Sequence, residues 1–132
     1  MSPDELETVR GVYQAFNRRE IPGFLALLAA DVEWRPLFAD TVEGRAYRGH
    51  DGVGQWLAEL DESWDEFRAL PDEFRVAGHQ VLVLGRLVGK GRGSSIAMEH
   101  EGSWVFELLD GVVVSMHAYV DRAAALESFG AG

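Results

Sequence analysis

Residues 108–130 read LLDGVVVSMHAYVDRAAALESFG. The Asp110-Gly111 pair between apolar runs is a strong hairpin signal, because two-residue hairpin turns favour residues that tolerate positive φ. Residues 112–120 then form a strand with two different faces. Met116 and Ala118 share one phase; His117 and Tyr119 share the other. Asp121 stands before RAAALESF, where an N-cap and a short helix explain it without any chemistry. The crowding of Met116, His117, Tyr119, Asp121 and Arg122 is either a catalytic cluster or one strand with two different faces ending in a capped helix.

Upstream of this hairpin lie three more strand-like runs, DEFRVAG, HQVLVLGRLVGKG and SIAMEHEGSWVFELL, joined by short turns. Helices precede them. SPDELETVRGVYQAFNRR opens with Ser2 as a candidate cap, Pro3 in the first turn and Glu5 three residues after Ser2. Its Leu6, Val9, Tyr13 and Phe16 fall on one stripe. IPGFLALLAA predicts a short second helix with Ile21, Phe24, Leu25 and Leu28 inward, and DVEWRP a short strand. Val53, Trp56, Leu60, Trp64 and Phe67 fall at helical spacing and predict a third amphipathic helix. Helices first and antiparallel strands later is the α+β pattern. No repeat or linker divides the chain, so residues 1–132 are expected to form one domain.

VLVLGRLV is apolar in both phases, as in strands buried on both faces. If the helices cover one face of the sheet, a second copy of the chain is the economical cover for the other. A homodimer through the outer sheet face follows, with Val113, Ser115, His117 and Tyr119 at or near the contact.

The chain carries 22 acidic and 12 basic residues, a net charge of −10. That balance argues against binding nucleic acid or an anionic membrane. With no cysteine there is no thiol nucleophile and no thiolate metal site. His50, His79, His100 and His117 show no metal-ligand spacing, and neither a metal nor a cofactor is expected. No signal-like start and no membrane-length apolar run appear, so a cytoplasmic location is expected. GKGRGSS lacks the following helix of a phosphate loop, and ELDESWDEF is a solvated helix face.

VYQAFNRREIPGFLALLAADVEW, YRGHDGVGQWL, LVLGRLVGKGRGSS and the 108–130 segment, in this order, resemble the nuclear transport factor 2-like (NTF2-like) superfamily, and within it the SnoaL-like polyketide cyclase group. The resemblance implies a cone, with N-terminal helices packed on a strongly curved, mostly antiparallel sheet that encloses a pocket. It also implies positions. The isomerase general base of this superfamily falls on Pro36, and the epoxide hydrolase carboxylates fall on Val88 and Ala118. The protonated acid of the isomerases falls near Trp104. None of these is an acid here, so neither known chemistry is carried over.

What remains is a set of candidates. Arg86 is expected in pocket phase as an anchor for an anionic ligand group, or else paired with Glu99 or Glu101. His100 is expected to share the phase of Trp104 and serve as acid or base. Tyr13 lies one residue from the isomerase oxyanion tyrosine. Arg86, His100 and Tyr13 are the catalytic candidates; Trp34, Tyr47, Trp56, Trp104, Met116 and Ala118 are the ligand-binding ones. The expected function is binding of an apolar, ring-containing small molecule, with or without acid–base turnover of the isomerase, cyclase or lyase type. The alternative is a non-catalytic binding protein or dimeric scaffold with the same fold.

Overall fold

The computed structural model describes residues 3–36 and 46–129. The Ser2 cap lies outside them. The elements are α1 (Pro3–Arg18), α2 (Ile21–Ala26), β1 (Leu28–Arg35), β2 (Tyr47–Arg48), α3 (Gly49–Ser63), β3 (Trp64–Ala77), β4 (Gln80–Gly91), β5 (Ala97–Leu109), β6 (Val112–Tyr119) and α4 (Arg122–Ser128). The strands form one six-stranded sheet in the order β2-β1-β6-β5-β4-β3. β1 runs parallel to β6, and every other pairing is antiparallel. This is the expected α+β architecture. Among the described residues no helix is long and apolar enough to cross a membrane.

Local chemistry explains most element ends. α1 stops where Arg19 turns left-handed (φ 56°), and the Glu20 and Arg19 N–H groups then donate to Ala15 O and Phe16 O at 2.9 and 3.1 Å. That is the Schellman closure of a helix C-terminus. Asp110 and Gly111 both take positive φ, 54° and 84°, as the hairpin signal requires. Asp121 caps α4, its Oδ1 accepting from the Ala123 N–H at 3.0 Å.

The inner face of the sheet is set by register. Val81, Val83 and Leu87 of β4 lie opposite Phe106, Trp104 and His100 of β5. Val9, Val12, Tyr13 and Phe16 of α1, Phe24 of α2, and Val53, Trp56, Leu57 and Leu60 of α3 close over this face in one buried cluster.

Several expectations are corrected. The second helix ends at Ala26, and Leu28 already begins β1. The third helix ends at Ser63, and Trp64 to Phe67 begin β3 instead. Their apolar spacing imitates a helix, but Trp64 and Phe67 pair with Gly91 and Gly89 of β4, and Phe67 and Ala69 alternate inward. β3 also continues through Pro71, which an edge strand tolerates and which sits beside a bulge before Glu73.

The outer apolar row, Leu82, Leu84 and Val105, is covered by the chain itself. α4 lays Ala125 onto it, with Tyr119 and Phe129 alongside. The two-faced strand therefore has its cover without a second copy, and the inference from it to a dimer loses its premise. Val113 is fully buried in the inner core rather than outward, because the β5–β6 register shifts between Glu107 and Leu108.

The free edge of β3 is satisfied from α1. Asn17 Nδ2 donates to Ala69 O at 2.8 Å, and the Ala69 N–H donates to Asn17 Oδ1 at 2.9 Å. One side-chain amide thus takes the place of a neighbouring strand at this residue. Asn17→Leu should lower the unfolding free energy by roughly 2 kcal/mol in a urea titration, since it strips two partly buried backbone groups of their partner; an unchanged midpoint would refute the pairing. Asp121→Ala should cost about 1 kcal/mol and Asp121→Asn much less, and equal losses in the two variants would rule out capping.

Candidate functional site

Between the helices and the inner sheet face lies a cavity. α1 supplies Val12, Tyr13 and Phe16, α2 supplies Phe24, and α3 supplies Trp56. The sheet supplies Trp34, Phe67, Ala69, Leu87, Trp104, Phe106 and Met116, with Pro36 just beyond β1. The rings interlock, Tyr13 edge to face with its neighbours and Trp34 tilted against Trp56. Tyr13 meets Trp104 at 5.6 Å and Phe106 at 5.8 Å between centroids, and Trp34 meets Trp56 at 5.4 Å. The Trp104 indole lies on Gly102, where a Cβ would stand 2.6 Å from its Cη2. Only a residue without a side chain permits that approach. The space left within the walls is about 40 Å³, room for little more than a water or two. A typical ligand pocket holds about 300–1,000 Å³, so a ring compound enters only if wall side chains move.

Two polar side-chain atoms give this apolar space its chemistry. Tyr13 Oη and Trp34 Nε1 are buried, and neither finds a hydrogen-bond partner among the described residues. A buried polar group without a partner costs about 1–3 kcal/mol, so each is a candidate ligand contact. Burial pushes the Tyr13 hydroxyl well above the usual phenol range. It therefore stays protonated at any working pH and acts as a donor, not as a base. The described lining contains no carboxylate, imidazole, ammonium or guanidinium group. Among the described residues no cluster of His, Asp and Glu suits a metal ion.

The structure brings Tyr13, Trp34, Trp56, Trp104 and Met116 together at this cavity. Four other candidates lie elsewhere. Arg86 is on the outer face, half-exposed, with Asp72 and Glu99 each 3.3 Å away. The 81–88 run is apolar in both phases and so gives no sign of which phase is inward; the alignment slipped by one residue, and Leu87 occupies the inner position. The pairing with Glu99, the alternative weighed for Arg86, is present.

His100 does share the inner phase, opposite Leu87, but it stands beyond Gly102 and does not line the cavity. Its Nδ1 is 2.7 Å from Glu101 O. Tyr47 lies at a separate surface cleft alongside Trp56, its hydroxyl donating to Glu59 Oε1 at 2.6 Å. Ala118 is buried opposite Trp104, and its methyl group does not reach the cavity.

Sequence reasoning missed Phe16, Phe24, Phe67, Leu87 and Phe106 as wall residues. Phe106 was within reach, since it follows Trp104 at strand spacing. On the outer face His117 stacks on Tyr119, centroids 4.1 Å apart. Burial and then the Arg35 charge hold its imidazole below the ordinary value, against the opposing pull of Glu33.

A sequence model of the SnoaL-like domain matches residues 9–116. The chain belongs to the SnoaL-like family. Solved structures agree. An NTF2-like protein from Burkholderia pseudomallei K96243 is 30% identical over 96% of this chain and 97% of its own, with a TM-score of 0.81. TerC, co-crystallised with polyporic acid, is 26% identical over 94% of this chain and 96% of its own, with a TM-score of 0.78. A Mycobacterium tuberculosis protein solved with estradiol-17beta-hemisuccinate is 16% identical over 92% of this chain and 97% of its own, at a TM-score of 0.77, a likeness of fold alone. Among curated proteins no relative matches. The SnoaL-like chain thus has the NTF2-like cone, and its cavity occupies the cone's interior.

Because the Tyr13 hydroxyl has no partner among the described residues, Tyr13→Phe should stabilise the protein by roughly 1 kcal/mol. Urea unfolding monitored by tryptophan emission checks the sign, and a loss of stability would mean the hydroxyl has a partner after all.

Proposed function

We propose that this SnoaL-like protein binds a flat, apolar ring compound inside the cone, with Tyr13 and Trp34 donating hydrogen bonds to it. The observation that carries the reading is the pair of buried, unpartnered donors in an otherwise apolar aromatic wall. Folding tolerates such groups at functional sites, where a ligand supplies the missing partner. TerC, 26% identical and co-crystallised with polyporic acid, supports a small organic occupant. With no base or acid in the described lining, binding is a better-supported role for this cavity than proton transfer. Arg86 and His100 take no part in it.

The narrowness of the cavity, about 40 Å³, favours a second reading: a scaffold whose cone is filled by its own aromatic rings. Tryptophan emission separates the two, since Trp34, Trp56 and Trp104 all stand in the wall. A panel of one- and two-ring compounds, neutral and anionic, should include members that change the emission saturably at one site per chain. Ala69→Leu, which fills the cavity, should abolish that change while leaving the circular dichroism spectrum intact. No saturable change with any compound would establish the filled scaffold instead.

A further inference from the structure

We infer that the cavity selects its ligand by charge state: it takes a neutral ring compound with a hydrogen-bond acceptor and rejects the corresponding anion. This rests on the ligand-binding reading above and names the ligand class of that site. It also reverses the sequence-based expectation of an anionic ligand, which depended on Arg86 facing inward.

The argument is one of missing countercharge. Trp34 Nε1 is a donor only, and the Tyr13 hydroxyl already carries its proton. Both therefore favour an acceptor such as a carbonyl oxygen. A carboxylate or phenolate also accepts, but it must first leave water, and that cost is recovered only beside a cation or a dense set of donors. No cation lines the described cavity.

Charged groups on the described elements around it are engaged elsewhere or face outward. On α1, the Arg10 guanidinium lies over the Phe74 ring and Arg19 lies over Phe16, 5.2 and 4.6 Å from the centroids. Arg19 is further engaged by Asp61 and by Phe16 O and Phe67 O. On α3, Glu59 holds the Tyr47 hydroxyl. On β4 and β5, Arg86, Glu99 and Glu101 face outward, and His100 lies beyond Gly102. On β1 and β6, Glu33, Arg35 and His117 line a cleft on the outer face. The upward displacement of the Tyr13 hydroxyl is the same penalty acting on the protein's own potential anion.

Four small probes of one shape test this in calorimetric titrations: acetophenone, ethylbenzene, benzoate and 4-hydroxyacetophenone. Acetophenone should bind about tenfold more tightly than ethylbenzene, the value of a satisfied donor. Benzoate should bind at least about a hundredfold more weakly than acetophenone. The affinity of 4-hydroxyacetophenone should fall about tenfold per pH unit above its own phenol pKa, while that of acetophenone stays flat. Tyr13→Phe should shrink the preference for the ketone over the hydrocarbon. If benzoate matches acetophenone, or ketone and hydrocarbon bind alike, the charge and acceptor selection is wrong while the ligand-binding reading stands. If no probe binds at one site per chain, both fall.

Discussion

The edge-on packing of Tyr13 against Phe74, Trp104 and Phe106 joins α1 to two strands of the sheet and sets the depth of the cone. Aromatic pairs in this geometry contribute beyond the area they bury, and three of them converge on one ring. The ring thus fixes where the helix sits. The same placement drives the hydroxyl into a space with no acceptor. A phenylalanine would pack as well and leave nothing unsatisfied. A donor without a partner among the described residues distinguishes this inner surface from a fully satisfied core.

Charge is distributed in keeping with that surface. The chain carries a net charge of −10, yet none of the described wall residues is charged. The acidic groups sit outside, many tied to arginines: Asp72 and Glu99 to Arg86, Glu33 to Arg35 and Arg48, Asp61 to Arg19. These exposed pairs contribute little stability individually. Together with the remaining carboxylates they give a polar shell around an interior whose described wall is apolar.

Local signals in the sequence were the legible ones. The stripe on α1, the Asp110-Gly111 turn and the Asp121 cap each depend on residues a few positions apart, and all three are present. The order of segments was enough to carry the family and its fold. Illegible were features decided by contact across the sheet. The phase of Arg86 was hidden because its strand is apolar on both faces. The helix-like spacing of Trp64 and Phe67 was overridden by pairing to Gly91 and Gly89. The Gly85–Gly102 pair reveals nothing in the sequence, yet Gly102 is where the Trp104 indole comes to rest. That Trp34 Nε1 finds no partner among the described residues is a property of its surroundings, and no spacing encodes it.

The α4 helix has only seven residues, far below the length at which a helix holds itself together in water. Its order is borrowed from Ala125 seated on Leu82, Leu84 and Val105. Release of these roughly two turns therefore uncovers an apolar row on the outer sheet. Fraying of the last helix and exposure of apolar surface are in consequence one event, and a substitution at Ala125 alters the outer face without touching the interior.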